Sequence, residues 1–307
     1  MFSHDNISKF LVVILGPTGV GKTELSIKLS KYYNAPILSA DSRQIFREMK
    51  IGTACPLPEQ LGEAPHYFIG HKSITDRYSC GMFEMDALKL LDNIYLERNF
   101  ALLVGGSMLY IDAVCKGIDD FPTPDPELRK SLEDQLKKLG IENLRAQLKL
   151  LDPEHYQQID LRNSQRVLKA IEVCLQTGKP YSSFLTQPMK KRSFIPIKIG
   201  ITLPREDLYK KINSRVDKMV ELGLVDEVKN LFAFKNNNAL KTVGYREIFD
   251  FFEGKNSLEQ AIDLIKRNSR RYAKRQLTWW AKDKEIAWFN PRDEKRIIEY
   301  IDKVKGR

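Results

Sequence analysis

Residues 16–23 read GPTGVGKT, and the reading of that octet decides the fold. Gly16, Gly21, Lys22 and Thr23 fit the spacing G-x-x-x-x-G-K-[ST], a loop whose successive N–H groups point inward at phosphate oxygens. Glycines let the backbone turn sharply and come close to a ligand. A helix that begins here adds the positive end of its dipole, Lys22 adds a point charge, and Thr23 offers a hydroxyl to Mg2+. The whole octet (Gly16, Pro17, Thr18, Gly19, Val20, Gly21, Lys22 and Thr23) is assigned to phosphate binding, for which nucleotide or ATP binding is the usual use. The flanks supply the required context. FLVVIL at 10–15 reads as a buried strand, and Leu25, Leu29 and Tyr32 mark one side of a helix over about 22–33.

Working outward, strands and helices alternate. PILSA at 36–40 is a second short strand ending at Asp41, and HYFIG at 66–70 looks like another. A helix runs from about Ser79 to Arg98, FALLVGG at 100–106 is a strand closed by two glycines, and a helix follows from about Ser107. This alternation predicts an α/β fold, a parallel sheet with helices on both faces. The pattern changes at FPTPDPEL, 121–128, with three prolines in eight residues. From there to about Pro188 only helical periodicity is present, broken by DPEH and GKP; FIPIKIGITL at 194–203 is strand again. The expected organisation is a P-loop NTPase-like core over 1–118 and 194–307, with a helical insertion domain over 119–193. IAWFN at 286–290 reads as a last strand before a closing helix.

Composition narrows the class of protein. Of 307 residues 42% are hydrophobic, enough for a sizeable core, and no apolar run approaches the roughly 20 residues of a membrane span. MFSHDNISKF lacks the pattern of a signal peptide, so a cytoplasmic protein is expected. Cys55, Cys80, Cys115 and Cys174 are widely spaced, and His4, His66, His71 and His155 form no ligand pattern; neither disulfides nor a zinc site is expected. The net charge of +10 suits a polyanionic partner. Lys266, Arg267, Arg270, Arg271, Lys274 and Arg275 fall in ten residues without an acid, forming two adjacent rows on one helix. Such a stripe points to RNA backbone. Trp279 and Trp280 nearby are expected in the core.

The loop does not say which phosphate it holds. A nucleotide kinase carries a second acid on an adjacent strand to organise Mg2+, yet the strand at 100–104 ends in Gly105-Gly106-Ser107. Asp41 is the one acid at the end of a nearby strand, and serves either Mg2+ or as a base. A small-molecule kinase and a non-catalytic, RNA-binding ATP switch are two readings of the loop, and both require ATP binding.

Six stretches in order then resemble the tRNA dimethylallyltransferase family in its short bacterial form, without a C-terminal zinc finger. They are GPTGVGKT at 16–23, ADSRQIFREMKIGTA at 40–54, GGSMLYIDAV at 105–114, NSQRVLKAIEV at 163–173, TVGYREI at 242–248 and RRYAKRQLTWW at 270–280. The resemblance implies transfer of a dimethylallyl group from its diphosphate to N6 of the adenosine 3′ of the tRNA anticodon, with Mg2+, by a monomer. The loop would then hold the donor's diphosphate. The resemblance makes Asp41 the base, and Ser107 and Arg215 partners of the diphosphate, although Arg215 alone looks like a helix-surface residue. It places Asp41, Ser42, Arg43, Gln44 and Ser107 against the flipped adenosine. It places Arg129, Gln165, Arg166, Val167, Leu168, Lys169, Lys241, Gly244, Tyr245, Arg246, Arg271, Lys274 and Arg275 against the rest of the anticodon stem-loop. Ser107 stands where the family commonly has Thr and keeps the hydroxyl; Phe46 stands where Tyr is common.

Overall fold

The computed structural model describes residues 8–186 and 190–306. His4, most of the amino-terminal stretch read for a leader, and Pro188 lie outside them. The chain divides into two compact units, Met1–Cys115 with Lys191–Arg307, and Lys116–Lys190.

In the large unit, β1 (Phe10–Leu15), β2 (Ile37–Ala40), β3 (His66–Tyr67), β4 (Phe100–Gly105), β5 (Ile195–Ile201) and β6 (Ala287–Phe289) form one sheet in the order β3-β2-β4-β1-β5-β6. Every pairing is parallel. Central β1 is buried on both faces, hence its unbroken apolar run. Val12 and Ile14 join one core with Leu25 and Leu29 of α1 (Lys22–Tyr33) and Ile297 of α12 (Glu294–Lys305). Leu11, Val13 and Leu15 join the other, with Phe83 and Leu91 of α3 (Cys80–Glu97) and Ile111 of α4 (Met108–Lys116). The Ser79 hydroxyl caps α3 by accepting the Met82 N–H, a contact of about 1 kcal/mol. A third core joins α8 (Arg205–Glu221), α9 (Leu224–Asn230), α10 (Tyr245–Phe252) and α11 (Leu258–Trp280) to the segment after β2, through Ile45, Met49, Val216, Tyr245 and Ile265.

Some expectations change in detail. HYFIG pairs only at His66 and Tyr67, because Phe68 takes a positive φ of 64° and turns the chain away. Tyr32 is 60% exposed; the neighbouring Tyr33 stacks on Phe100 instead, with ring centroids 5.0 Å apart. Trp280 is core, whereas Trp279 is 41% exposed and donates its indole N–H to Asp112 at 2.8 Å. Among the described residues no helix is long and apolar enough to cross a membrane.

The small unit is helical: α5 (Pro126–Leu151), α6 (Pro153–Gln158) and α7 (Ser164–Thr177) pack through Leu132, Leu144, Leu148, Val167 and Ile171. The breaks seen in the sequence are caps. Asp152 accepts the His155 N–H at 2.9 Å to start α6, and also takes the Ser182 N–H and hydroxyl. Gly178, in the left-handed region, ends α7. The Lys190 N–H donates to the Lys116 carbonyl at 2.9 Å, closing the unit where it begins and ends.

Candidate active site

Three loops leave the carboxyl ends of adjacent strands, where open parallel sheets place their ligand sites. Residues 16–21 follow β1, Asp41 follows β2, and Gly106-Ser107 follow β4. The strand ends are packed so closely that a Cβ on Gly105 would lie 2.1 Å from the Ala40 carbonyl oxygen. No acid can stand there, which removes the position a kinase uses for a second metal-organising carboxylate.

The phosphate loop enters α1 through Gly21, whose φ of 108° suits glycine alone. Lys22 Nζ donates to the carbonyls of Gly16 and Pro17, each at 2.9 Å. Burial first, and the Arg215 charge second, bring its pKa down to about 7 against the opposing pull of Asp41. The Val20 side chain is core, so only its main chain is available to a ligand.

Asp41 is turned by its own backbone. Its Oδ1 accepts the Arg43 N–H at 2.9 Å and the Gln44 N–H at 3.3 Å. The Ser107 hydroxyl accepts the Ser42 N–H at 2.8 Å and reaches the Ser42 hydroxyl at 3.1 Å. The turns after β2 and β4 are thus locked together. Arg215 comes from α8, with Nη1 on the Thr18 hydroxyl at 2.9 Å and Nη2 on the Thr53 carbonyl at 3.1 Å. It is therefore a site residue rather than part of an outer helix face. Burial lowers its pKa, and Asp41 opposes the shift.

Of these groups Thr18, Asp41, Ser42, Arg43, Ser107 and Arg215 line a cleft of about 360 Å³, which Lys22 does not reach. Thr18, Asp41, Ser42, Arg43, Ser107, Arg215, Lys241, Gly244, Arg246 and Arg275 all border it; Asp41 is the one acid among the lining residues, against five Lys and Arg side chains. Ile212, Val216, Met219, Val243 and Ile265 give it an apolar side. A diphosphate and an apolar group both find matching surface there.

Other expected residues have different places. The Gln44 amide is engaged inside the protein: Oε1 accepts the Ser39 hydroxyl, and Nε2 donates to the Thr53 and Ala54 carbonyls. Tyr245 is 0% exposed and donates its hydroxyl to Glu227 at 2.7 Å, so its side chain shapes the wall rather than meeting a ligand. In the small unit Val167 and Leu168 are core, leaving Gln165, Arg166 and Lys169 of that stretch nearer the surface. Arg129 donates to Gln165 at 2.9 Å, and both it and Lys169 lie 3.3 Å from buried Glu172. The basic stripe on α11 divides. Lys266 pairs with Asp217 of α8 at 2.6 Å and Arg270 bonds Asn213 at 2.6 Å, so the compensating acid comes from a neighbouring helix. Arg267, Arg271, Lys274 and Arg275 are exposed.

Two residues given no role by the sequence hold the site. Gln276, 1% exposed on α11, accepts the Thr18 N–H at 3.0 Å and donates to the Gly106 carbonyl at 2.7 Å. Glu227 accepts the N–H groups of Lys50, Ile51 and Gly52 at 2.9, 2.7 and 2.9 Å. Both pairings join segments far apart in sequence, where no local pattern reveals them.

Fold and site together define a phosphate-loop protein whose cleft sets one carboxylate among five Lys and Arg side chains. A family model described as IPP transferase matches residues 44–283, and the chain belongs to that family. The chain is 49% identical to tRNA dimethylallyltransferase 1 of Bacteroides fragilis over 96% of its own length and 98% of that protein's. It is 50% identical to the tRNA dimethylallyltransferase of Christiangramia forsetii, again covering 96% and 98%. The crystal structure of the full-length tRNA isopentenylpyrophosphate transferase of Bacillus halodurans superposes with a TM-score of 0.70 at 36% identity, covering 97% of this chain and 96% of that one.

Proposed function

We propose that the protein transfers a dimethylallyl group from dimethylallyl diphosphate to N6 of adenosine 37, 3′ of the anticodon, in tRNA. The products are N6-isopentenyladenosine and diphosphate. One observation carries the reading: Asp41, with Oδ1 held in its turn, lines the same cleft as Thr18 of the phosphate loop and Arg215.

The N6 lone pair forms the new bond to the donor's terminal carbon. The carbon–oxygen bond to diphosphate breaks, and its electron pair leaves on the diphosphate oxygen. N6 gives its proton to the Asp41 carboxylate, which matters because this amine's lone pair is delocalised into the ring. Arg215, Lys22 and the loop amides face the growing negative charge, and Ser107 adds a hydroxyl. The donor's alkyl group lies on the apolar side of the cleft. Among the described residues no group of three acidic, His or Cys side chains could cage a metal. That suits Mg2+, which keeps waters and takes its remaining ligands from substrate phosphates. Thr23 would hold it, and when bound it would neutralise diphosphate charge.

The adenosine leaves its stack cheaply, because the anticodon loop is single-stranded. Ser42 and Arg43 border its place, with Lys241, Gly244 and Arg246 on the rim. Arg267, Arg271, Lys274 and Arg275 take the RNA backbone on α11, and Gln165, Arg166, Lys169 and Arg129 offer polar contacts on the small unit. The protein works as a monomer in the cytoplasm; no disulfide joins Cys55, Cys80, Cys115 or Cys174, in keeping with a reducing compartment.

The test is to mix the protein with Mg2+, radiolabelled dimethylallyl diphosphate and total tRNA, then count label in RNA. Label that depends on Asp41 is expected. Unlabelled RNA accompanied by ATP hydrolysis would return the loop to a nucleotide.

A further inference from the structure

The Gln276 side chain joins two pieces of the site that come from different strands. Its Oε1 accepts the Thr18 N–H and its Nε2 donates to the Gly106 carbonyl. Thr18 carries Arg215 on its hydroxyl, and Gly106 precedes Ser107, whose hydroxyl holds the turn after Asp41. The approach is close enough that a Cβ on Gly106 would lie 2.5 Å from Nε2. Only a side chain with a donor and an acceptor at its tip satisfies both backbone groups at once. The Tyr272 hydroxyl also reaches the Gly106 carbonyl, at a longer 3.4 Å, so the loss of Gln276 weighs most on the Thr18 N–H, and a part-buried donor left unpaired carries a desolvation penalty.

We propose that Gln276 is a positioning residue for the transfer, fixing the distance between the diphosphate seat and the Asp41–Ser107 side of the cleft. The inference rests on the reading of the cleft given above. Gln276 touches neither substrate; it acts through Thr18 and Gly106. Its consequence falls on the reaction step and on the donor. RNA seated on the outward cations of α11 is untouched.

Two variants of the full chain test it, assayed with dimethylallyl diphosphate and an anticodon stem-loop RNA. Q276M keeps length and volume but loses both bonds. We expect kcat/KM for the donor to fall about 100-fold, the scale of an ångström-size misplacement, while KM for the RNA stays within about threefold, an experimental tolerance set by its untouched cations. Q276E keeps the acceptor for Thr18, and as a neutral acid it regains a donor for Gly106. Burial raises a carboxyl pKa, so the Q276E activity, as a ratio to wild type, should climb as pH falls from about 8.5 to about 5.5, across the range where a raised carboxyl titrates. The wild-type denominator cancels pH effects common to both enzymes.

A pH-independent ratio for Q276E overturns the proposal. So does a Q276M enzyme within threefold of wild type, or one whose loss lies in KM for RNA. If Q276M is unfolded, the Q276E profile decides alone. Wild type that labels RNA while either variant fails these expectations sinks the Gln276 role only; wild type that leaves RNA unlabelled sinks the transfer reading, and this one with it.

Discussion

Helix α11 turns Ala273 and Gln276 toward the sheet, and Arg271, Lys274 and Arg275 toward solvent. On the inward face ångströms matter: Gln276 meets the Gly106 carbonyl at 2.7 Å, where one added methyl carbon would collide. On the outward face several exposed cations share one task, and a polyanion integrates over them. On the proposed function, single groups carry the chemistry, while affinity for RNA is distributed. The same helix holds both designs, because its buried face is uncharged and its exposed face carries the cations.

The largest expected effect tests the single-group side. Asp41→Asn keeps an oxygen for the Arg43 and Gln44 N–H groups, so the turn survives while the proton acceptor is lost. Transfer should fall by about 10³-fold or more in single-turnover assays, with tRNA affinity within a few-fold; normal turnover with lost binding would break the comparison. Next is Arg215→Met, which removes a cation from the diphosphate seat. It should cost about 10²-fold in kcat and leave the salt dependence of tRNA binding unchanged.

Lys22 sharpens the comparison through pH. Its folded pKa, about 7, lies below the 10.5 of an ordinary lysine. The unfolded chain therefore holds more protons between those values, and stability of the ligand-free protein should rise with pH across that window. Thermal unfolding should show the rise, and Lys22→Met should flatten it. Inorganic diphosphate should restore the lysine charge, so calorimetry at pH 8 in buffers of different ionisation enthalpy should record proton uptake.

The distributed side gives smaller numbers. Neutralising Arg271 and Lys274 together should lower the salt slope of tRNA binding by about 1 to 2, given a contribution of roughly 0.7 to 0.9 per phosphate contact. Smallest of all, Lys266→Met should leave tRNA binding within about twofold and lose less than about 1 kcal/mol of stability, since the residue makes a part-exposed pair with Asp217.

The same contrast explains what could be read from the sequence. The phosphate loop, Asp41 and the Gly-Gly-Ser turn are contiguous, and their residue types are forced by backbone geometry, so they stand out in the linear chain. The alternation of strands and helices was equally legible, because it is periodic. Arg215 is different: its partner Thr18 lies 197 residues away, and its own helix gives no sign of it. The division of the basic stripe depended on Asp217 and Asn213 of another helix. Tyr245 and Gln44 had the polarity of contact residues, but packing turned both inward. In each case the missing information was a tertiary neighbour.

The carboxylate of Glu227 has a bearing on selectivity. Three consecutive amides, those of Lys50, Ile51 and Gly52, converge on it, and the Tyr245 hydroxyl completes the set. A Cβ on Gly52 would strike the Tyr245 ring, so the crowding is built in. Convergent amides are a generic anion trap. Here the trap is already sprung by a tethered decoy, and Gly52 and Thr53 border the cleft that Asp41 and Arg215 line. An anion entering the cleft thus finds that berth already filled by a side chain of the protein itself.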